Sequence, residues 1–204
     1  MDITYTSLGQ EITEQQAMVN DWYEKVYSLN GVVKKKELYV DYELAKIEYY
    51  LELNETEEEA KAILSGYGVG YGILRNEQYG NYMISMRKGY VDNLLNNKSK
   101  ILKDSHDHTV CVQGIDIETG TPDYKETIKY LGEYLGSNEG DYCRFNYKED
   151  GSFDYCDYNY FHEYDSEQFN LEHVSMVKDL FQLSDEMYNY FLIAEFLPPI
   201  SLSD

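Results

Sequence analysis

The stretch DYCRFNYKEDGSFDYCDYNYFHEYD, residues 141–165, gives the clearest indication of the fold. Its nine aromatic and seven acidic side chains are balanced by only two basic ones, Arg144 and Lys148. Asp150-Gly151 is a strong two-residue turn signal between two runs of alternating residues. We therefore predict a tyrosine-rich hairpin near residues 142–161.

Both faces of this hairpin are expected to mix apolar and polar residues. Pairing across the turn puts six residues on one face: Cys143, Phe145, Tyr147, Asp154, Cys156 and Tyr158. The other face holds Arg144, Asn146, Lys148, Phe153, Tyr155 and Asp157. Because a tyrosine ring can pack while its hydroxyl stays hydrated, we interpret the hairpin as a half-buried sheet element that also forms a contact surface.

Helix signals dominate the first part of the chain. Thr13-x-x-Gln16 has the form of a capping box, and four apolar residues follow at spacings of four, four and three: Met18, Trp22, Val26 and Leu29. This pattern predicts a helix over residues 13–29. Residues 38–53 fit a helical stripe or a strand, and their Glu, Leu, Ala and Lys content favours the helix. Thr56-x-x-Glu59 begins a further helix that should end by Gly66.

The middle of the chain alternates between the two periodicities. The glycine-rich residues 66–80 predict a loop or a thin strand, and TVCVQGIDIET, residues 109–119, predicts a strand with a bend at Gly114. Thr121 and Pro122 fit the N-cap and first turn of a helix that ends near Gly136. After the hairpin, residues 166–183 predict a helix, and Ser184 caps a second one that Pro198 and Pro199 stop.

These elements predict an α+β fold, in which helices pack on a small, mostly antiparallel sheet. The tyrosine-rich hairpin belongs to that sheet, and two helices follow it at the C-terminal end. Residues 1–204 fit a single domain, with a sub-division near residues 66–80 left open.

Charge is the strongest feature of the composition. The net charge is −21, and residues 104–204 hold 22 acidic side chains against five basic ones. Such an excess repels nucleic acid and anionic membranes and attracts basic surfaces. The alternative interpretation is that the acidity only keeps the protein dissolved.

The three cysteines do not form a disulfide framework, since their number is odd and small. Cys143 and Cys156 should lie diagonally across the hairpin, which is too far for a bridge, so free thiols are expected. The N-terminal residues lack the basic and apolar regions of a signal peptide, and no apolar run is long enough to span a membrane. These observations predict a cytoplasmic protein.

Signals for catalysis are sparse. GYGVGYG does not satisfy the nucleotide-binding glycine patterns, no nucleophile elbow occurs, and no cofactor is predicted. His106 and His108 are the nearest approach to a metal site, with Asp116, Glu118 or Cys111 as a third ligand. The alternative for these histidines is a polar loop before the strand that begins near Thr109. An enzyme with a metal centred on His106 and His108 therefore remains a second hypothesis.

The function favoured by the sequence is inhibition of a basic protein. Acidic side chains would meet the partner's Arg and Lys, and tyrosines would anchor the contact. A bacterial immunity protein that blocks the cationic cleft of a nuclease-like toxin fits this description, and a phage or plasmid DNA mimic is an alternative. A structural or adaptor protein without a basic partner is a third. The expected contact residues are Asp150, Asp154, Tyr155, Asp157, Tyr158, Tyr160, Glu163, Tyr164 and Asp165.

Overall fold

A computed structural model describes residues 1–132, 142–160 and 165–197, with only the backbone described at residues 159–160 and 165–167. The prediction of helices packed on a small sheet is wrong. Thirteen strands form one large open sheet, and 55% of the structure is strand against 16% helix. The helices are few and short.

The strands follow one another across the sheet almost in chain order. Their bounds are β1 Asp2–Ser7, β2 Gln10–Ile12, β3 Trp22–Leu29, β4 Val32–Val40, β5 Glu43–Tyr50, β6 Gly70–Tyr79, β7 Tyr82–Val91, β8 Leu94–Lys103, β9 Thr109–Ile115, β10 Pro122–Gly132, β11 Tyr142–Tyr147, β12 Phe153–Tyr160 and β13 Asp165–Phe169. Hydrogen-bonded neighbours run in order from β13 to β3, followed by β1 and β2. Antiparallel pairs joined by short turns account for this order, and β5 with β6 is a parallel pair.

The described helices are α1 Glu14–Ala17, α2 Glu57–Leu64, α3 Ser175–Leu180 and α4 Asp185–Phe191, and a 3-10 turn covers Ser65–Tyr67. Helix α2 lies in the crossover between β5 and β6, as a parallel pair requires. The capping box of Thr56 and Glu59 is confirmed at its start. Ser184 is confirmed as the N-cap of α4, where its hydroxyl accepts a hydrogen bond from the Met187 backbone N–H.

The long N-terminal helix over residues 13–29 is wrong. Thr13 and Gln16 do form the predicted capping box, but the helix ends at Ala17. From Trp22 onward the chain is strand β3, paired along its length with β4. Aromatic and β-branched residues favour a pleated surface, and here that preference outweighs the apolar spacing.

Two further helix predictions are wrong for related reasons. Residues 38–53 contribute to β4 and β5, which pair with each other. Pro122 begins strand β10 rather than a helix and lies opposite Ile115, because a proline is tolerated as the first residue of a strand. Residues 66–80, left as loop or thin strand, include the ten-residue strand β6.

The C-terminal part of the chain contains more strand than predicted. The first residues of the expected helix over 166–183 belong to β13, and only Ser175–Leu180 is helical. The predicted stop at Pro198 and Pro199 lies outside the described residues. The strand predicted over 109–119 is present in part as β9, which ends at Ile115, and the residues after it form a turn in which the Gly120 N–H donates to the Asp116 carbonyl.

The hairpin near residues 142–161 is present as β11 and β12. Cys143 lies opposite Tyr158 and Cys156 opposite Phe145, so the two cysteines are diagonal, and all three cysteines are free thiols. One face of the hairpin is buried and, over its described side chains, holds no charged residue, because Phe153 lies there instead of the predicted Asp154. Cys143, Phe145 and Cys156 have no exposed surface.

The chain divides into two compact units, Met1–Asn76 with Met86–Lys98 and Glu77–Ser85 with Ser99–Asp204. In the first unit, α2 covers a core that includes Ile47, Leu64 and Tyr71. In the second unit, α3 and α4 pack on the buried face of the β11–β12 hairpin. Within the described ranges, no helix has both the length and the apolar character needed to cross a membrane.

Candidate functional site

A β-bulge in β12 determines which hairpin residues face solvent. Asn146 lies opposite Tyr155, but the next residue, Tyr147, lies opposite Phe153, so Asp154 is the extra residue. The bulge turns Phe153 into the core, where it is 5% exposed, and leaves the Asp154 side chain exposed. Regular alternation would have buried Asp154, so the bulge redirects this carboxylate toward solvent.

A second bulge, in β10, lies between Asp123 and Thr127. The Asp123 Oδ1 atom accepts hydrogen bonds from the backbone N–H groups of Lys125 at 3.1 Å and Glu126 at 3.4 Å. These bonds stabilise the extra residues in an Asx-type turn. Gly114 on the adjacent strand β9 is required here, because a Cβ atom at this position would lie 2.4 Å from the Glu126 Cβ.

The turn between β11 and β12 is closed by its own aspartate. Asp150 Oδ1 accepts hydrogen bonds from the Ser152 Oγ at 2.6 Å and the Ser152 backbone N–H at 2.9 Å. These bonds lower the pKa of the Asp150 carboxyl. Gly151 has a φ of +81°, and the Tyr124 ring packs 3.4 Å from where its Cβ would be. The β10 bulge and the hairpin turn are therefore in direct contact.

Together the two bulges and the turn line an open groove of about 750 Å³. Its lining residues are Lys125, Glu126, Asn146, Tyr147, Lys148, Glu149, Asp150, Asp154 and Tyr155. Four of these are acidic and two are basic. Lys125 forms an ion pair with Glu149, which raises the pKa of the lysine and lowers that of the glutamate. The groove therefore carries a net negative charge.

Three of the nine expected contact residues meet in this groove: Asp150, Asp154 and Tyr155. Asp157 lies outside it, on the same outward face of the hairpin, opposite Arg144. Asp157 Oδ2 accepts hydrogen bonds from the Arg144 Nη2 at 2.7 Å and Nε at 3.2 Å. The Asp157 carboxylate is thus already engaged by a guanidinium of its own sheet.

The remaining expected contact residues differ in position. Tyr158 is 7% exposed and packs its ring edge-on against Phe181 at 5.9 Å, so it belongs to the core. Tyr160 and Asp165 lie opposite each other on β12 and β13, and their side chains are outside the description. Glu163 and Tyr164 lie outside the described residues altogether.

Sequence reasoning missed Lys125, Glu126 and Glu149 as groove residues. It placed the first two on a helix, because the run from Thr121 has helix-start residues. In the structure Thr127 and Lys129 are buried, while Ile128 and Tyr130 are half-buried on the opposite face. The polar residues are therefore on the buried face and the apolar ones on the exposed face, so the usual strand pattern is absent. Only the β-forming residues over 127–130 could have indicated a strand.

Lys129 is a buried lysine that no sequence pattern indicated. Its side chain has no exposed surface. Its Nζ atom donates hydrogen bonds to the Tyr190 carbonyl at 2.5 Å and the Ile193 carbonyl at 2.8 Å, and it lies 3.3 Å from the centre of the Tyr190 ring. Burial lowers the pKa of Lys129 to about 7. The ammonium joins β10 to the segment that includes α4.

The structure places His106 and His108 in the five-residue connection between β8 and β9, together with Asp104. One ligating atom of each of these three residues lies within 4.8 Å of the other two. The third ligands named from the sequence are not in this cluster. Cys111 is buried in β9, and Asp116 accepts hydrogen bonds from Thr119 and Glu118 within its own turn.

No family model, no curated protein and no solved structure matches this chain. What the groove can bind follows from its side chains. Carboxylates on exposed turns and bulges accept hydrogen bonds from guanidinium and ammonium groups, and tyrosine rings such as that of the half-buried Tyr155 pack favourably against cations. Basic side chains of another molecule therefore suit the groove.

Proposed function

We propose that this chain is an acidic inhibitor that binds a basic protein partner, with the groove of β10, β11 and β12 as the centre of the contact. The observation that carries the proposal is the meeting of Asp150, Asp154 and Tyr155 in one open groove. A tyrosine that shares a groove with several carboxylates suits a surface that recognises Arg and Lys.

The long-range charge supports the same function. The acidic excess lies in residues 104–204, which include the groove. Complementary charge raises association rates by factors of about 10 to 1,000. A nuclease-like toxin has a cationic cleft because its substrate is polyanionic, and an acidic groove that covers such a cleft would block it. We therefore propose a toxin-immunity role as the specific form of this inhibition.

The test compares two double variants with equal changes in charge. Glu126→Lys with Asp154→Lys reverses two carboxylates of the groove. Glu118→Lys with Glu172→Lys reverses two exposed carboxylates that do not line it. Asp157 is avoided, because a lysine there would lose the Arg144 ion pair. Asp150 is avoided because its carboxylate closes the hairpin turn.

A partner is captured from cell extract on each immobilised protein, identified, purified and measured by biolayer interferometry at low and high NaCl. We expect a strongly basic partner whose association rate falls about tenfold or more in the groove variant and much less in the matched one. If the association rate falls equally in the two variants, binding depends on net charge alone and the groove is not the contact surface.

The inhibitory role has a separate readout. The purified partner is assayed for cleavage of plasmid DNA and of RNA, with and without an equimolar amount of this chain. We expect cleavage by the partner alone and its suppression by the wild-type chain, with weaker suppression by the groove variant. A partner with no activity on nucleic acid would contradict the immunity role and leave only the binding surface.

A further inference from the structure

We propose that the connection between β8 and β9 binds a divalent transition-metal ion of the Zn²⁺ class through Asp104, His106 and His108. The three residues offer two imidazole nitrogens and one carboxylate oxygen. This donor set suits Zn²⁺, Co²⁺, Ni²⁺ or Cu²⁺, whereas Mg²⁺ and Ca²⁺ prefer sites made of oxygen atoms alone. The site is independent of the groove and of the proposed partner.

The backbone of the connection holds these residues in a fixed arrangement. Asp104 Oδ1 accepts hydrogen bonds from the backbone N–H groups of His106 and His108, both at 2.9 Å. The Asp104 N–H donates to the His108 carbonyl at 3.0 Å. Asp107, which lies between the histidines, has a φ of +67° and pairs with Lys103 at 2.8 Å. The intervening residue is therefore engaged elsewhere, and the two imidazoles lie side by side.

The distances are close to those of a metal site. In a tetrahedral zinc site with bonds of about 2.0–2.1 Å, neighbouring ligand atoms are about 3.3 Å apart. His108 Nδ1 and Asp104 Oδ2 are hydrogen-bonded at 3.1 Å, so an ion that takes the place of the shared proton would find them already at this spacing. The His106 and His108 ring centres are 5.7 Å apart, with the planes inclined by 25°. The ligating atoms lie within 4.8 Å of one another, which is about 1.5 Å more than the roughly 3.3 Å of a tetrahedral site. His106 is exposed, so rotation of its side chain can bring it closer.

Three protein ligands leave at least one position for water. The side chain of Asp104 is 30% exposed and that of His108 is 22% exposed, so the ion would lie at the surface with solvent on one side. Its affinity would accordingly depend on each imidazole, because each supplies one of only three protein ligands. The Asp104 hydrogen bonds to the backbone orient the carboxylate whether or not an ion is bound.

The experiment uses the full chain without a polyhistidine tag, freed of metal by dialysis against a chelator. Zn²⁺ is titrated calorimetrically, and Co²⁺ is titrated with detection of its visible absorption. We expect one ion per chain, and a loss of affinity of at least tenfold in His106→Gln and in His108→Gln. His173→Gln is the matched control, because His173 is an exposed histidine in another part of the unit. It should bind the ion as the wild type does.

Asp104→Asn tests whether Asp104 binds the metal ion or only stabilises the backbone of the connection. Its amide oxygen can still accept the two backbone hydrogen bonds, so the connection keeps its shape while the carboxylate charge is lost. We expect weaker Zn²⁺ binding, with the backbone NOE pattern of residues 104–108 in the metal-free protein unchanged from that of the wild type. The proposal is overturned if Zn²⁺ and Co²⁺ show no saturable binding, or if His106→Gln binds as the wild type does, or if His173→Gln loses as much affinity as the other histidine variants.

Discussion

The Lys129 ammonium lies in the core of the second unit, with two backbone carbonyls and the Tyr190 ring as its partners. Burial lowers its pKa from 10.5 to about 7. Between these values the unfolded chain binds a proton that the folded chain does not, so the free energy of unfolding should rise with pH by up to about 1.4 kcal/mol per pH unit. Urea denaturation at several values between about pH 7 and pH 8, below the pKa of about 8.5 of an unfolded cysteine, measures this slope.

The variant Lys129→Met should lose that slope, because it has no titrating group there. It will also be less stable than the wild type at the upper end of the range, since the carbonyls of Tyr190 and Ile193 lose their donor. Lys125→Met is the matched control: it removes an exposed lysine from the same strand and should keep the wild-type slope. Equal slopes in all three proteins would show that Lys129 keeps its proton throughout the window.

The three thiols are a second feature that is testable at the scale of single residues. Cys111, Cys143 and Cys156 have no exposed surface, and burial raises the pKa of Cys111 to about 12. A thiolate is the reactive species, so a disulfide reagent at about pH 8 should modify the native protein very slowly and all three thiols after unfolding. Ser175→Cys, on an exposed surface, should react at once. Rapid modification of the native wild type would contradict the burial of these thiols.

At the scale of elements, the two bulges create the groove, and Gly114 permits one of them. A Cβ atom at Gly114 would lie 2.4 Å from the Glu126 Cβ, too close for either backbone to remain in place. Gly114→Ala should therefore reduce the free energy of unfolding by about 1–3 kcal/mol. Gly66→Ala, where an added Cβ meets nothing within 4 Å, should change it little. Urea midpoints followed by circular dichroism compare the two, and similar values would show that the β10 bulge adjusts freely.

The bulges also mark the limit of what the sequence can predict. Asp150-Gly151 indicated the hairpin because turn signals depend only on neighbouring residues. The turn itself is centred one residue earlier than predicted, since the Gly151 N–H donates to the Lys148 carbonyl at 3.0 Å and the Lys148 N–H to the Ser152 carbonyl at 2.9 Å. The predicted sides of the sheet for Asp154 and Phe153 were wrong, because a single extra residue in a strand reverses the alternation of side chains beyond it. Which strand carries that extra residue depends on packing: the Phe153 ring is 6.2 Å from the Phe145 ring, inside the core. A pattern along one segment does not contain this information.

The helix errors have a different physical origin. In the first unit one face of β3 and β4 is built from tyrosine, lysine and glutamate. Glu37 is 4% exposed and accepts hydrogen bonds from Lys35 at 2.7 Å, Tyr27 at 2.8 Å and Tyr39 at 3.2 Å. Residues that look polar are buried together, so the alternation that normally reveals a strand is lost. Signals that depend only on neighbouring residues were reliable, and both predicted capping boxes, at Thr13 and Thr56, are present.

At the scale of the whole molecule, charge is the property that the sequence describes best. The formal net charge of −21 attracts a basic partner and also opposes folding, because compaction brings like charges together. Ion pairs such as Arg144–Asp157 and Lys88–Glu57 offset part of this repulsion. Exposed pairs each contribute little, so the excess of negative charge should dominate the dependence of stability on salt.

The free energy of unfolding should therefore rise as NaCl is increased from about 0.02 to about 0.5 M, over which range the Debye length falls below about 5 Å. Two like charges 10 Å apart repel by about 0.4 kcal/mol in unscreened water.

The triple variant Glu118→Gln, Asp154→Asn and Glu172→Gln removes three exposed carboxylates. It should be more stable than the wild type at low salt, by on the order of 1 kcal/mol, and should respond less to NaCl. Guanidinium chloride is itself a salt, so urea denaturation is the appropriate measurement. A wild type that loses stability as NaCl is added would show that its ion pairs stabilise it more than like-charge repulsion destabilises it. The negative charges would then be largely neutralised within the protein, and long-range attraction of a basic partner would be weak.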